Sequence, residues 1–444
     1  MSANRITARV AAAAVAAIVA TTAAPHPVAG MPTGRTGAVQ VSVVSDSLRV
    51  TNVVPTWGAQ IPKVVYDGRW FYAATLDGDG TQYPWSARVW KSPDSRTWTE
   101  VVALPGHVYQ PVGLLVDGAG RLHLQVACFT GAACYPGVAP APGADLAGVY
   151  AVRLTFADRL ADGSVDPGRF TDHTARSATP AGAGPERYYQ GLAMSRDGRY
   201  LYTAYAVDNW DLHVNVFDTR TGTDVHTTRV GSPPPGRAWL YPRVQPGVAP
   251  GEVYLSFSQY VLGTPNSAYL DGATLWHSTD FGRTFGSRTY LTENPMPDGD
   301  GNWVDAADIT VDAAGEVHAV FYRRDRGVGT LYYQRGLAGT PVAVGPLDNH
   351  SQLLVRPDGT RMVFTSSGAS LVVAHSHDGV RWTISRHPVE GVASVLWPNL
   401  LQARSGSRTP PGYHAPGRPA TGMLMAGQSA GQSAFQPLLY VRFR

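Results

Sequence analysis

QGLAMSRDGRYLYTAYA, residues 190–206, is the stretch that decides the fold of this chain. Apolar residues alternate with polar or aromatic ones on both sides of the Asp197-Gly198 turn, which is the pattern of a β-hairpin. Six further stretches place two short strands around a glycine turn, and the last of them is the weakest copy. They are QIPKVVYDGRWFYAAT from Gln60, QPVGLLVDGAGRLHLQVA from Gln110, RVQPGVAPGEVYLSFS from Arg243, DAADITVDAAGEVHAVFY from Asp305, HSQLLVRPDGTRMVFTS from His350 and WPNLLQARSG from Trp397.

The spacing of the seven turns indicates what these hairpins build. The turn glycines lie 44 to 80 residues apart, and five of the six intervals fall between 44 and 64: Gly68, Gly118, Gly198, Gly251, Gly315, Gly359 and Gly406. That length suits a four-stranded antiparallel blade. The sequence therefore predicts an all-β fold, a seven-bladed β-propeller, with a six-bladed ring as the alternative. A pair of β-sandwiches fits less well, because a single unit repeats along the chain.

The composition agrees with a β-rich protein. The 444 residues include 48 Gly, 34 Pro, 21 Tyr and 11 Trp but only six Glu. Gly and Pro interrupt helices, whereas Tyr and Trp favour strands, so an all-helical protein is excluded. The net charge is +3 and no run of Lys or Arg exceeds two residues. Nucleic-acid binding needs a basic footprint and is therefore not expected.

Three segments share a second motif. Residues 278–285 read STDFGRTF, residues 92–98 read SPDSRTW and residues 376–382 read SHDGVRW. In each, an Asp can cap exposed backbone N–H groups of a turn while an aromatic residue packs beneath it. These segments resemble the Asp-box, or bacterial neuraminidase repeat, of sialidase-like propellers. The first has the full pattern and the other two have a shortened form.

The resemblance covers about residues 40–444 and implies a sialidase-like propeller of the polysaccharide lyase or glycoside hydrolase type. The chain is also similar to some secreted seven-bladed lyases of plant and algal polysaccharides. In that family the Asp-box turns lie on the outside of the blades, away from the chemistry. The resemblance is thus specific for the fold and says less about the activity.

The first thirty residues have the features of a signal peptide. Arg5 and Arg9 precede the apolar run 10–20, and small residues follow. A basic head, a short apolar stretch and a small-residue cleavage region are typical of secretion. We expect residues 1–30 to be removed and the mature protein to be extracellular, with no membrane association and as a monomer.

Residues 38–444 are predicted to form a single propeller domain. Surface insertions are expected near 157–186 and 405–420, where Gly, Pro and Asp accumulate. The alternating stretch 39–53 is expected to pair with the last blade and close the ring, which leaves no free sheet edge. Cys128 and Cys134 are the only cysteines, and in an oxidising compartment we expect them to form a local disulfide.

The starts of the inner strands predict a binding funnel, because these positions meet near one rim of a propeller's central channel. Most of them are polar and have a Tyr or Trp nearby, a combination that suits glycans: rings stack on sugar faces, and polar groups bond to hydroxyls and carboxylates. We therefore expect a polysaccharide or glycan as the partner. The predicted substrate-binding residues are Trp57, Gln60, Tyr109, Gln110, Tyr188, Gln190, Trp303, Asp305, Asp308, Gln352, Trp397 and Asn399.

Three chemistries can be compared with this funnel. A sialidase of the resembled family has an arginine in an Arg-Ile-Pro segment of the first blade, but this chain has Gln60 before Ile61-Pro62, so the arginine is absent. A glycoside hydrolase needs two carboxyl groups, for which the candidates are Asp305 and Asp308, with Glu186. A lyase acting on a uronic acid needs a cation for the carboxylate and a Tyr or His as base.

The lyase is the preferred function, and its predicted catalytic residues are Arg243, His350, Tyr189 and Tyr241. Glycoside hydrolysis and a non-enzymatic glycan- or protein-binding propeller are the alternatives. No cofactor is required for any of them. The Asp-Gly loops 77–80 and 298–301 are compatible with a structural Ca2+, although neither continues as an EF-hand.

Overall fold

The computed structural model consists of β-strands joined by turns. No helix in the described part of the chain is long and apolar enough to cross a membrane. The described residues are 39–50, 55–56, 58, 60–78, 85–129, 149–156, 161–165, 170–172, 190–207, 211–261, 269–293, 303–325, 327–403, 421–430, 435 and 437–443.

Twenty-eight strands lie within these ranges. In chain order they are β1 (Val39–Ser45), β2 (Val64–Tyr66), β3 (Phe71–Asp77), β4 (Trp85–Ser92), β5 (Thr99–Val116), β6 (Leu122–Phe129), β7 (Val149–Phe156), β8 (Phe170–Asp172), β9 (Gln190–Met194), β10 (Tyr200–Val207), β11 (Asp211–Asp218), β12 (Thr223–Gly231), β13 (Arg237–Pro246), β14 (Val253–Val261), β15 (Tyr269–Ser278), β16 (Ser287–Glu293), β17 (Trp303–Val311), β18 (Val317–Asp325), β19 (Val328–Arg335), β20 (Val342–Gly345), β21 (Gln352–Val355), β22 (Arg361–Ser367), β23 (Ser370–Ser376), β24 (Thr383–Pro388), β25 (Ser394–Leu400), β26 (Gln402–Ala403), β27 (Thr421–Gln428) and β28 (Leu438–Phe443).

The strands form seven antiparallel blades, which confirms the predicted seven-bladed propeller. Blades 3 to 6 are β9–β12, β13–β16, β17–β20 and β21–β24 in chain order. Blade 1 is β2–β5 and blade 2 is β5–β8, because β5 passes from the outer edge of one to the inner edge of the next. Its register shifts between Tyr109 and Gly113, where it changes blades.

The last blade contains both ends of the described chain. Its strand order from the centre outward is β25, β27, β28 and β1. Val39 of β1 lies opposite Phe443 of β28, and the antiparallel pairing continues to Val43 and Leu439. This confirms ring closure for residues 39–45 of the predicted stretch 39–53, which leaves blade 7 without an unpaired outer edge at β28.

In blade 1 and in blades 3 to 6, the predicted glycine lies in the turn between the two inner strands and has a positive φ. Blade 2 differs in the position of this glycine. Gly198 has φ +70°, a conformation that side-chain-bearing residues rarely adopt. In blade 2 the positive φ of +86° belongs to Gly120, whereas Gly118 packs against blade 3, where its N–H donates to Gly198 O at 2.7 Å. Both glycines of the Asp-Gly-Ala-Gly segment are therefore needed, one for the turn and one for the close approach.

The three Asp-centred outer turns have a common geometry. In each, the first Ser donates its hydroxyl to the carboxylate two residues later, at 3.1 Å for Ser92, 2.8 Å for Ser278 and 3.0 Å for Ser376. The residue after the Asp has a positive φ in all three: Ser95 at +60°, Phe281 at +64° and Gly379 at +76°. Each turn joins the third strand of its blade to the fourth, as the sequence predicted for outer turns.

The carboxylates of these turns cap backbone N–H groups. Asp280 accepts hydrogen bonds from the backbone N–H and the hydroxyl of Thr284 at 2.9 and 2.7 Å. Although burial opposes the effect, these bonds and the one from Ser278 lower the pKa of Asp280 to about 2. An aromatic residue closes each turn: the ring centroid of Trp98, for example, lies 5.4 Å from that of Tyr440.

The core is divided among the interfaces between blades. Ala307 and Val320 of blade 5 pack against Leu353 and Val372 of blade 6, and comparable clusters join the other neighbours. Apolar side chains thus hold the sheets together pairwise around the ring.

The predicted insertion near 157–186 lies largely, and that near 405–420 entirely, outside the described residues. The same is true of residues 1–30 and of the last hairpin turn at Gly406. These features remain predictions.

Candidate functional site

One cavity is formed where the inner strands begin. It is lined from six of the seven blades. The lining residues are Gln60, Pro62, Leu192, Arg243, Val244, Gln245, Asp308, Ile309, Gln352, Asn399 and Gln402. Five of the predicted site residues are therefore brought together: Gln60, Arg243, Asp308, Gln352 and Asn399. Among the described lining residues, Arg243 is the one cation and Asp308 the one carboxylate.

Arg243 reaches the cavity through a β-bulge. The register of β13 against β14 shifts between Leu240 and Arg243, and Tyr241 within the bulge has φ +54°. The Arg243 side chain is only 6% exposed, and its Nη1 donates to the carbonyl of Tyr241 at 3.1 Å. The Tyr241 side chain packs against the apolar cluster of the early blades and does not line the cavity. The bulge thus aims the guanidinium at the centre.

Blade 7 repeats this bulge, which sequence reasoning missed. The register of β25 shifts between Leu396 and Asn399, and Trp397 has φ +47°. Strained non-glycine residues of this kind cluster at functional sites. Leu240-Tyr241-Pro242 and Leu396-Trp397-Pro398 are two copies of Leu-aromatic-Pro, each followed by a cavity-lining residue. Comparing the repeats at these positions could have predicted both bulges.

Three lining side chains also join neighbouring blades. Asp308 accepts a hydrogen bond from Leu353 N at 2.8 Å, and Gln352 accepts one from Leu400 N at 2.5 Å. Asn399 accepts from Lys63 N at 2.9 Å and donates to Ile61 O at 3.1 Å. These bonds run from blade 5 through blades 6 and 7 to blade 1. These three residues, which the sequence predicts to bind substrate, therefore also hold neighbouring blades together.

The candidate hydrolase pair is engaged in the same way. Asp305 is 5% exposed and accepts hydrogen bonds from the Ser258 hydroxyl and from Asn349 Nδ2, the latter at 3.0 Å. Asp308 is 2% exposed and bonds to blade 6. Both carboxylates are committed to contacts between blades, so the arrangement gives little support to a glycosidase acid–base pair.

Gln190 does not line the cavity. It is 1% exposed, and its Oε1 accepts a hydrogen bond from Gln125 Nε2 of blade 2. Blade 3 contributes Leu192 to the lining instead. A polar residue at the start of a strand can thus be used between blades rather than towards the channel.

His350 lies two residues before the lining residue Gln352 and is held by two neighbours. Its ring stacks on Trp397, with centroids 4.1 Å apart and planes 14° apart. Its Nδ1 lies 3.3 Å from Asp348 Oδ1, and its side chain is 16% exposed. Burial opposes the effect, but the contact with His350 lowers the pKa of Asp348. Because the carboxylate fixes Nδ1 as the protonated nitrogen, Nε2 is left to accept a proton.

Lys63 is a buried amine that the sequence did not reveal. Its side chain is 0% exposed, and its Nζ donates to Gly58 O at 3.2 Å and to Val112 O at 2.9 Å. Burial lowers the pKa of Lys63 to about 7. In the sequence it directly follows the lining residue Pro62.

A cluster of Asp312, Glu316 and His318 could in principle ligate a metal ion. Protein groups already engage it: Glu316 pairs with Arg335 Nε at 2.5 Å, and His318 Nδ1 bonds to the Tyr333 hydroxyl at 2.6 Å. In the loop 77–80, the Asp77 carboxylate pairs with Arg88. Neither arrangement requires a cation, and the structural Ca2+ remains a prediction.

Several predicted residues cannot be placed at the site. Trp57, Tyr188, Tyr189, Glu186 and Cys134 lie outside the described residues. Tyr109 and Gln110 in β5, Trp303 in β17 and Cys128 in β6 are described as backbone only. Their roles, and the disulfide, stay predictions.

Comparison with known proteins identifies the fold. Neither a protein-family model nor a curated protein matches the chain. A solved polysaccharide lyase, a PL25 ulvan lyase bound to -[GlcA(1-4)Rha3S]-, is similar with a TM-score of 0.57 at 12% identity, covering 90% of this chain and 94% of that one. The polysaccharide lyase Uly1 is similar with a TM-score of 0.53 at 12% identity, covering 86% and 89%. At this identity the likeness shows the fold, a seven-bladed β-propeller.

Proposed function

We propose that this protein is a secreted carbohydrate-active enzyme, a lyase that cleaves a polysaccharide containing uronic acid. The observation that carries the proposal is the central cavity, in which Arg243 is the one cation among described lining residues and is accompanied by the amides of Gln60 and Gln352. A buried guanidinium suits a carboxylate, and amides suit the hydroxyls of a sugar. The similar ulvan lyase fold, whose bound chain contains GlcA, supports this choice.

The chemistry follows from the residues at the rim. Arg243 neutralises the uronate carboxylate, which makes the C5 proton acidic. His350, held by Asp348 and Trp397, accepts that proton at Nε2. The C4–O bond then breaks, a C4=C5 double bond forms, and the departing oxygen takes up a proton, so the product is an unsaturated sugar and a new chain end. Tyr189 is the further candidate for proton transfer, whereas Tyr241 packs away from the cavity.

The remaining properties belong to the same proposal. Residues 1–30 direct secretion, the mature protein acts as a monomer, and the reaction needs no cofactor. The three Asp-capped outer turns belong to the Asp-box class and stabilise the blades. A Ca2+ bound at the loop 298–301 would be structural.

Binding without catalysis is the second candidate, and one observation favours it. Asp308, Gln352 and Asn399 each commit an acceptor to a neighbouring blade, which limits what the cavity offers a substrate. A glycoside hydrolase is less well supported, because Asp305 and Asp308 are engaged in the same way.

The test is an incubation of the secreted protein with a panel of uronate-containing polysaccharides. Ultraviolet absorbance reports the double bond, and a reducing-end assay reports chain cleavage. We expect both signals to rise together. Reducing ends without absorbance would mean hydrolysis, and glycan binding without either signal would mean a binding propeller. Both outcomes would refute the lyase.

A further inference from the structure

Gln60 is a lining residue whose side-chain amide donor has no partner among the described residues. Its side chain is 7% exposed, and no described residue accepts a hydrogen bond from its buried Nε2. Buried polar atoms in native proteins almost always have a partner, so each exception needs an explanation. Asn399, by contrast, uses both ends of its amide between blades.

The backbone around Gln60 is held in place. Ile61 N donates to Gly58 O at 3.0 Å, and Lys63 Nζ donates to the same carbonyl at 3.2 Å. The Ile61 side chain is 1% exposed and packs with Leu192 of blade 3. These contacts hold the backbone on either side of Gln60, and its side chain lines the cavity.

As donors, Arg243 and Gln60 differ in charge. Hydrogen bonds between a guanidinium and a carboxylate are about twice as strong as those of a neutral amide. A uronate in the cavity would therefore present its carboxylate to Arg243. The amide of Gln60 then meets an uncharged oxygen of the same ligand, a hydroxyl or ring oxygen.

We propose that Gln60 is a specificity-determining residue that donates from Nε2 to an uncharged oxygen of the sugar whose carboxylate Arg243 binds. The inference rests on the proposed function. The two residues have different tasks in one cavity. Arg243 distinguishes an acidic sugar from a neutral one, and Gln60 distinguishes a sugar with an oxygen at the right position from a sugar without it.

The test compares Gln60→Met with the unaltered protein. Methionine has a similar length and no donor. Calorimetry measures the dissociation constant of a uronate oligosaccharide and of its carboxyl-reduced counterpart. We expect Gln60→Met to weaken both ligands about tenfold, since one hydrogen bond is lost from each complex. Arg243→Gln, the matched comparison, should instead weaken the acidic ligand more than the reduced one.

The thermal midpoint separates this role from a structural one. Removal of an unsatisfied buried donor leaves stability equal or higher, so Gln60→Met should unfold at the same or a higher temperature while binding less tightly. A lower midpoint with unchanged dissociation constants would show a structural role and overturn the inference. An unchanged dissociation constant with a raised midpoint would show that the donor meets only water, and would also overturn it.

The failure of the proposed function would look different. If the unaltered protein neither binds nor cleaves any oligosaccharide of the panel, the proposed function is wrong, and this inference falls with it. If that protein binds and cleaves normally but Gln60→Met has unchanged affinity for both ligands, only the inference is wrong.

Discussion

The buried amine of Lys63 should titrate near neutral pH. Its side chain is 0% exposed, and its only described partners are the carbonyl oxygens of Gly58 and Val112. Burial disfavours the charged form and lowers the pKa of Lys63 from 10.5 to about 7. The unfolded chain regains the ordinary value. Folding and the ionisation of this residue are therefore linked.

The sign and size of the linkage follow from the two pKa values. Between about pH 7 and pH 9 the unfolded chain keeps its proton while the folded protein loses it, so the free energy of unfolding rises with pH. The largest slope for one proton is about 1.4 kcal/mol per pH unit. Integrated over this interval, with half of the proton already lost at the start, the gain is about 2 kcal/mol.

The chain is suited to a direct assay, because Lys63 and Lys91 are its only lysines. Protein labelled with 13C-lysine gives two side-chain signals, which Lys91→Arg assigns. We expect the Lys63 signal to titrate near pH 7. Urea unfolding at about pH 7 and pH 9 should show the gain of about 2 kcal/mol in the unaltered protein and in Lys91→Arg. Lys63→Met, which removes the amine and keeps its length, should lack it.

Two results would refute the reasoning. A Lys63 signal that titrates near 10.5 would mean that the folded protein does not depress the pKa. An equal pH dependence of unfolding in Lys63→Met and the unaltered protein would mean that another group causes it.

Three further predictions concern the ring and the site. Asn399→Ala should lower the free energy of unfolding by about 2–4 kcal/mol, because it leaves Lys63 N and Ile61 O without their partner. Urea unfolding measures this loss, and a loss below about 1 kcal/mol would contradict the prediction. Burial lowers the pKa of His318 in the folded protein, so the stability that its neutral form contributes is present above the unfolded pKa near 6.5 and is lost as the pH falls. His318→Gln should therefore flatten the drop in thermal midpoint between about pH 7 and pH 5. An unchanged drop would show that His318 does not cause it. Asp348→Asn should lower kcat about tenfold or more with little change in KM, since His350 loses the group that fixes its Nδ1. The control Asp325→Asn, on the exposed surface, should leave kcat unchanged. Equal rates for both variants would exclude a positioning role for Asp348.

The blade architecture could be predicted because its signals are local. Alternation around a glycine turn, as in residues 190–206, specifies a hairpin without reference to the rest of the chain. The outer turns at Asp94, Asp280 and Asp378 could also be predicted from the sequence, since each carboxylate caps N–H groups within four residues of itself. Ring closure by β1 followed from the need to cover a sheet edge.

The uses of the inner polar residues could not be predicted in the same way. Asp308 bonds to a residue 45 positions later, and Asn399 bonds to one 336 positions earlier. A strand start that is polar in sequence looks the same whether it faces a ligand or the next blade. Lys63 was missed for a related reason: a lone lysine beside a strand normally keeps its ammonium in water, and here two carbonyls from separate segments enclose it.

The most direct test of the central claim is the cleavage of a uronate polysaccharide by the unaltered protein and by Arg243→Gln, with Arg220→Gln on an exposed turn as the control. Ultraviolet absorbance and reducing ends are followed together. We expect both signals to rise with the unaltered protein and with Arg220→Gln, and neither to rise with folded Arg243→Gln. Retained turnover in Arg243→Gln, or reducing ends without absorbance in the unaltered protein, would contradict it.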